Sequence, residues 1–160
     1  ISAHPGSQVT VPVLFTANDN AVAAAVFAVT FDPTYLQLDP TDSDGNGIPD
    51  AITFTLPAGV TPSVMVVDNQ HIQIAIADLS LPFVTLPDGP LANITFTVNE
   101  PPAGQATASD ITFAGTMPAS LGNHAGQRTP VMADDGSVLI TTMRTDGILT
   151  ATVYLPLIAK

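Results

Sequence analysis

Val9-Thr10-Val11-Pro12-Val13-Leu14-Phe15 sets Val9, Val11, Val13 and Phe15 in one row and Thr10, Pro12 and Leu14 in the other. Side chains alternate between the two faces of a β-strand, so such a row marks a strand with one apolar face. The same period recurs along the chain. It sets Phe27, Val29 and Phe31 against Val26, Ala28 and Thr30, and Ile72, Ile74 and Ile76 against His71, Gln73 and Ala75. Ala92, Ile94, Phe96 and Val98 form another row, Ile111 and Phe113 flank Thr112, and Val138 and Ile140 flank Leu139. Weaker strands are expected at Ala51–Leu56 and Ser63–Val67. The 15 prolines and 11 glycines punctuate the gaps and leave no room for a long amphipathic helix. Short, regularly spaced strands define an all-β protein of the sandwich or jelly-roll kind. Pro12 cannot donate to a ladder, so it is expected at an edge or a strand break.

At 160 residues the chain is long enough to bury a core without disulfides, and it has no cysteine. Its 3 Lys and Arg against 14 Asp and Glu give a net charge of −11. That balance argues against nucleic acid, whose phosphates need basic contacts, and against anionic membrane surfaces. Only 11% of residues are charged, so the surface is built from Thr, Ser, Asn, Gln, Ala and Pro. This composition is usual in secreted β-proteins and in subunits that live assembled, and Ile1 fits a start left by a removed signal peptide. No apolar run is long enough to insert in a membrane as a helix.

The one compositional break follows Thr142, dividing a sandwich over residues 1–142 from a tail over 143–160. Asp146-Gly147 is a turn signal. Beyond it Leu149, Ala151, Val153, Leu155 and Leu157 form an apolar row at period two. Such a strand either folds back on its own domain or is donated to the edge of a neighbouring copy.

Asp42-Ser43-Asp44-Gly45-Asn46-Gly47-Ile48-Pro49-Asp50 alternates oxygen-bearing side chains with turn-forming glycines. Hard cations take such oxygen ligands, and the spacing has the logic of an EF-hand-like Ca2+ loop. Asp42, Asp44 and Asn46 would supply side-chain oxygens, Ile48 its backbone carbonyl, and Asp50 would close the site, with Asp39 near enough in sequence to join. Thr53 stands where an EF-hand carries its bidentate Glu, so the loop is not a full EF-hand. Its expected role is structural; the competing reading is a solvated acidic turn.

The ordered set Val9–Val13, Phe27–Pro33 with Tyr35-Leu36, Ile72–Ile76 with Ala77-Asp78-Leu79-Ser80, Leu91–Phe96 and Asp135–Val138 resembles the cohesin family. The match runs over roughly residues 7–141 and includes a likeness to the family's Tyr-Asp-Pro-x-x-Leu turn. The resemblance implies a jelly-roll sandwich of about nine strands, here with an extra C-terminal strand. It also implies binding of dockerin modules or other cell-surface protein contacts. Where typical cohesins carry Asn and Asp on the outward face of the second strand, this chain has Ala24 and Val26, with Ala28 beyond. That departure points to a more hydrophobic contact, which His71 and Gln73 on a neighbouring outward row would join.

Nothing in the sequence assembles a catalytic site. Asp134-Asp135-Gly136 reads as a turn, Asp78 and Asp88 as isolated loop acids. His4, His71 and His124 lack metal-ligand spacing, and no Gly-x-Ser-x-Gly elbow supports Ser80 or Ser120. The only lysine is Lys160, which argues against an internal Lys–Asn bond. The reading is a non-catalytic extracellular or cell-surface module whose partner is a dockerin-like module or further copies of itself, the latter in a filament joined by the C-terminal strand. The alternative is a carbohydrate-binding module acting on polysaccharide. Against it stand the absence of Trp and the presence of only 2 Tyr, since sugar faces stack on aromatic rings.

Overall fold

A computed structural model describes residues 2–100, 107–113, 118–140 and 155–159. The described residues form 14 strands and no helix. In chain order these are β1 (Ser2–Ala3), β2 (Gln8–Thr16), β3 (Val22–Phe31), β4 (Leu36–Leu38), β5 (Ile52–Phe54), β6 (Val60–Val66) and β7 (His71–Asp78). They continue with β8 (Gly89–Val98), β9 (Thr107–Thr112), β10 (Ser120–Asn123), β11 (Arg128–Thr129), β12 (Val131–Ala133), β13 (Gly136–Ile140) and β14 (Leu155–Ala159).

Two sheets face each other. The larger has 8 strands along the path β1-β13-β9-β3-β10-β11, with β7 on the other side of β3 and β6 beyond it. The smaller has 6, along β12-β14-β2-β8-β4, with β5 also on β8. The number of segments exceeds the expected nine because strands break where they change sheet. A turn from His4 to Ser7, with Gly6 at φ 79°, separates β1 in one sheet from β2 in the other.

The rows legible in the sequence meet between the sheets. Val11, Val13, Phe27, Val29, Ile72, Ile74, Ile76, Ile94 and Phe96 are all fully buried. Phe31 meets Phe96 edge to face at 4.8 Å between centroids, a favoured aromatic geometry. Pro12 lies inside a central strand rather than at an edge: β2 pairs with β8 and β14, and Pro12 stands opposite Asn93 of β8.

The C-terminal strand is folded back. β14 runs parallel to β2, with Leu155 opposite Val13 and Leu157 opposite Phe15, and antiparallel to β12. Leu155, Leu157 and Ala159 are fully buried. In this arrangement Leu155 and Leu157 are core residues and offer nothing to a partner. Leu149, Ala151, Val153 and the Asp146-Gly147 turn lie outside the described residues.

Candidate docking face and Asp-rich loop

The outer face of the larger sheet follows from register. Arg128, Gly122, Ala24, Ala77 and Thr61 form one row across β11, β10, β3, β7 and β6. The next is Ser120, Val26, Ala75 and Ser63, and the third is Ala28, Gln73 and Met65. A fourth joins Thr112, Thr30 and His71. Every second residue of these strands points outward, and in the central rows most of those that do are small and neutral. Arg128 is the only Lys or Arg among the described residues, and it stands at the border, where its Nε donates to Ser120 Oγ at 3.0 Å.

Of the residues expected as partner contacts, Ala24, Val26, Ala28, His71 and Gln73 share this face, with one qualification. Ala24, Val26, His71 and Gln73 are half-buried, but Ala28 is only 5% exposed. Its methyl sits beside the longer Gln73, so it contributes floor rather than contact. His71 is held at the corner by Asp68, with Nδ1 2.8 Å from the carboxylate. Asp68 lies below the ordinary carboxylate range, first through the Gln70 amide and also through His71. Met65 adds an apolar side chain at the far edge.

Two features escaped the sequence reading. Asp78 is not a loop acid but the last residue of β7, and it is only 5% exposed. Its carboxylate accepts from Ser80 N at 2.9 Å, Ser80 Oγ at 2.8 Å and Val84 N at 2.7 Å. Those bonds, the Ser80 amide first, hold it below the usual carboxylate range. The loop it organises carries Leu79 and Leu81, which are 84% and 80% exposed. Two other acids, Asp135 of the expected turn and the loop acid Asp88, also have partners, both distant in sequence: Asp135 accepts from Phe113 N at 2.9 Å and Asp88 from Ala17 N at 2.7 Å.

The Asp-rich loop lies on the other sheet, between β4 and β5, both of which pair with β8. Gly45 and Gly47 take φ of 72° and 85°, a conformation that favours glycine. The turn brings carboxylate oxygens of Asp42, Asp44 and Asp50 within 4.8 Å of one another. Asp42 accepts from the Gly45 and Gly47 amides at 2.9 and 2.8 Å. The Gly47 amide is the main reason its carboxyl lies below the ordinary range. Asn46 Oδ1 accepts from Ile48 N at 2.7 Å. Asp39 is outside the trio; its carboxylate turns to Thr41, accepting from N at 3.0 Å and Oγ1 at 2.6 Å.

A groove of about 560 Å³ opens between the Pro33–Pro40 segment and the β6–β7 turn. Gln37, Asp68 and Asn99 give it polar walls, but its only aromatic, Phe31, is buried and presents no ring to a sugar.

The described residues form a two-sheet sandwich whose larger sheet presents mostly small, neutral side chains at the centre of its outer face. The cohesin domain model matches residues 1–140, and the chain belongs to the cohesin family, a family of non-catalytic modules. No curated protein sequence matches the chain. Among solved structures, it is similar to the sixth cohesin of Acetivibrio cellulolyticus scaffoldin B, solved in complex with a mutant Cel5 dockerin. That likeness has a TM-score of 0.67 and 22% identity, over 88% of this chain and 94% of that one. The seventh type I cohesin of Pseudobacteroides cellulosolvens ScaB gives 0.65 and 16%, over 94% and 93%. The cohesin module of a Clostridium perfringens family 33 glycoside hydrolase gives 0.62 and 13%, over 89% and 91%. At these identities the likeness shows the fold. Among the described residues, no helix is long and apolar enough to cross a membrane.

Proposed function

We propose that this chain is an extracellular docking module that receives a dockerin-type protein on the outer face of its larger sheet. The observation that carries the reading is the face itself: its central rows hold mostly small, neutral side chains, with Arg128 only at the border, on a chain of net charge −11. A flat surface free of charge at its centre can be dried without stranding an ion, which is what the core of a protein interface requires. The solved cohesin of Acetivibrio cellulolyticus has a dockerin bound, which supports the same class of partner here. The polysaccharide reading has no comparable support, because the groove lacks an exposed ring. Filament formation through the C-terminal strand has less support than docking, because β14 occupies its own sheet.

The test is isothermal titration against a panel of purified dockerin modules, followed by Ala75→Asp in the chain. Ala75 is half-buried at the centre of the face, between Val26 and Ser63. A carboxylate there would be buried unpaired on binding, so affinity should fall by about 100-fold or more. Binding that survives this change would move the interface elsewhere; no binding across the panel would reject the reading.

We also propose that the Asp-rich loop holds a calcium ion. Asp42, Asp44 and Asp50 would be its carboxylate ligands, with Asn46 and the Ile48 carbonyl beside them, which are the hard oxygen donors calcium prefers. The ion would offset repulsion among the three acids and keep β4 and β5 in line on β8, a structural role at extracellular calcium levels. At about 100-fold saturation, calcium should raise the melting temperature by roughly 5–10 °C over EDTA. Asp42→Asn should remove most of that difference. Equal melting temperatures in calcium and EDTA would leave the loop a metal-free turn.

A further inference from the structure

We infer that Leu79 and Leu81 anchor the docked partner, and that the partner is a dockerin-type module offering them an uncharged, apolar cleft. This rests on the docking reading above and adds which residues decide the fit. Leu79 and Leu81 lie in the loop that follows directly on β7, whose outward row is Gln73, Ala75 and Ala77. The leucines are 84% and 80% exposed, the most exposed large apolar side chains among the described residues. A single exposed leucine means little, but two in one short loop next to the end of the docking sheet are the kind of exposed apolar feature that marks interaction sites.

The loop is also held still. The Asp78 carboxylate, 5% exposed, ties down Ser80 and Val84 around the leucines. Thr85 Oγ1 lies 3.1 Å from His124 Nε2 in the turn between β10 and β11, and the Leu86 amide donates to the Val22 carbonyl at 2.7 Å. A buried carboxylate placed under an exposed loop fixes the leucines in advance, which lowers the ordering cost of association. Anchors of this kind carry most of the affinity when a pocket receives them.

Charge selects the occupant. A second copy would bring another net charge of −11 to the contact, and the outward residues of its own docking sheet are mostly small side chains. The central rows carry no charge to pair with Lys, Arg, Asp or Glu from a partner, so charged partner residues would be stranded there. The fitting partner is therefore a different module, apolar and uncharged where it meets Leu79 and Leu81.

The experiment selects binders of the full chain from a displayed library of dockerin modules randomised on the contact surface, then measures each by surface plasmon resonance. Leu79→Ser with Leu81→Ser should weaken them by about 30-fold or more, mainly through faster dissociation. Leu79→Met with Leu81→Met should stay within about threefold, since methionine keeps the apolar volume. Melting curves should be unchanged in both, because the side chains are exposed. Enriched modules should carry apolar or small residues opposite the leucines. Binding indifferent to the serine pair, or enrichment of charged residues at those positions, would overturn the inference while leaving the docking reading intact. A library that yields no binder would reject both.

Discussion

Phe96→Ala should cost the fold about 3–5 kcal/mol, the range for a fully buried aromatic removed from a packed core. Phe96 is fully buried on β8, the strand that carries β2 on one side and β4 and β5 on the other. Its ring meets Phe31 of β3, so it links the two sheets directly. Truncation would leave a cavity on that line, and rigid strands on both sides limit how far the site can collapse. With total stabilities of about 5–15 kcal/mol, such a loss leaves a marginal protein. The melting temperature should fall by roughly 10 °C or more at this chain length. Urea unfolding should show a lower midpoint with little change in slope. Phe83→Ala is the control: Phe83 is only half-buried, 6.1 Å from the His124 ring, and its loss should cost far less. Equal effects of the two would mean that the sheets are not held together through Phe31 and Phe96.

The contrast between what could be read from the sequence and what could not has a physical basis. The rows Val9–Phe15, Ile72–Ile76 and Ala92–Val98 were legible because a period of two belongs to the strand itself, whatever it packs against. The Asp-rich loop was legible for a similar reason: Asp42, Asp44 and Asp50 converge through a turn made by the residues between them. Asp39 misled because nearness in sequence says nothing of direction, and an adjacent Thr41 captured its carboxylate. Asp78 was hidden because its burial depends on Ser80 and Val84 returning over it, and the exposure of Leu79 and Leu81 follows from that same path. Pro12 was assigned to an edge or a strand break on a sound rule. Its place inside the sheet follows from long-range pairing of β2 with β8 and β14, which no local rule supplies.

Deleting residues 155–160 should be as damaging as Phe96→Ala, and it bears on how copies of the chain meet. Leu155, Leu157 and Ala159 are fully buried against β2, and β14 separates β2 from β12. Without them the inner side chains of β2 lose their cover, and its backbone becomes an unpaired edge beside an apolar surface. A single change, Leu157→Asp, tests the same contact without shortening the chain. A carboxylate opposite Phe15 would have no partner, and leaving such a charge unpaired in a core costs roughly 3–5 kcal/mol. The intact chain should run as a monomer in size-exclusion chromatography at all concentrations, because its β2 edge is already filled. The truncated chain should melt far lower and associate as concentration rises. A synthetic peptide spanning residues 153–160, added in excess, should bind the truncated chain and restore much of the lost melting temperature. If instead the intact chain forms filaments and the truncated one does not, β14 is donated between copies. If truncation leaves stability and monomeric state unchanged, the strand is not part of the core. The buried row Leu155, Leu157, Ala159 and its parallel register with Val13–Thr16 favour the first outcome, with strand exchange available only to a chain that has lost its own copy.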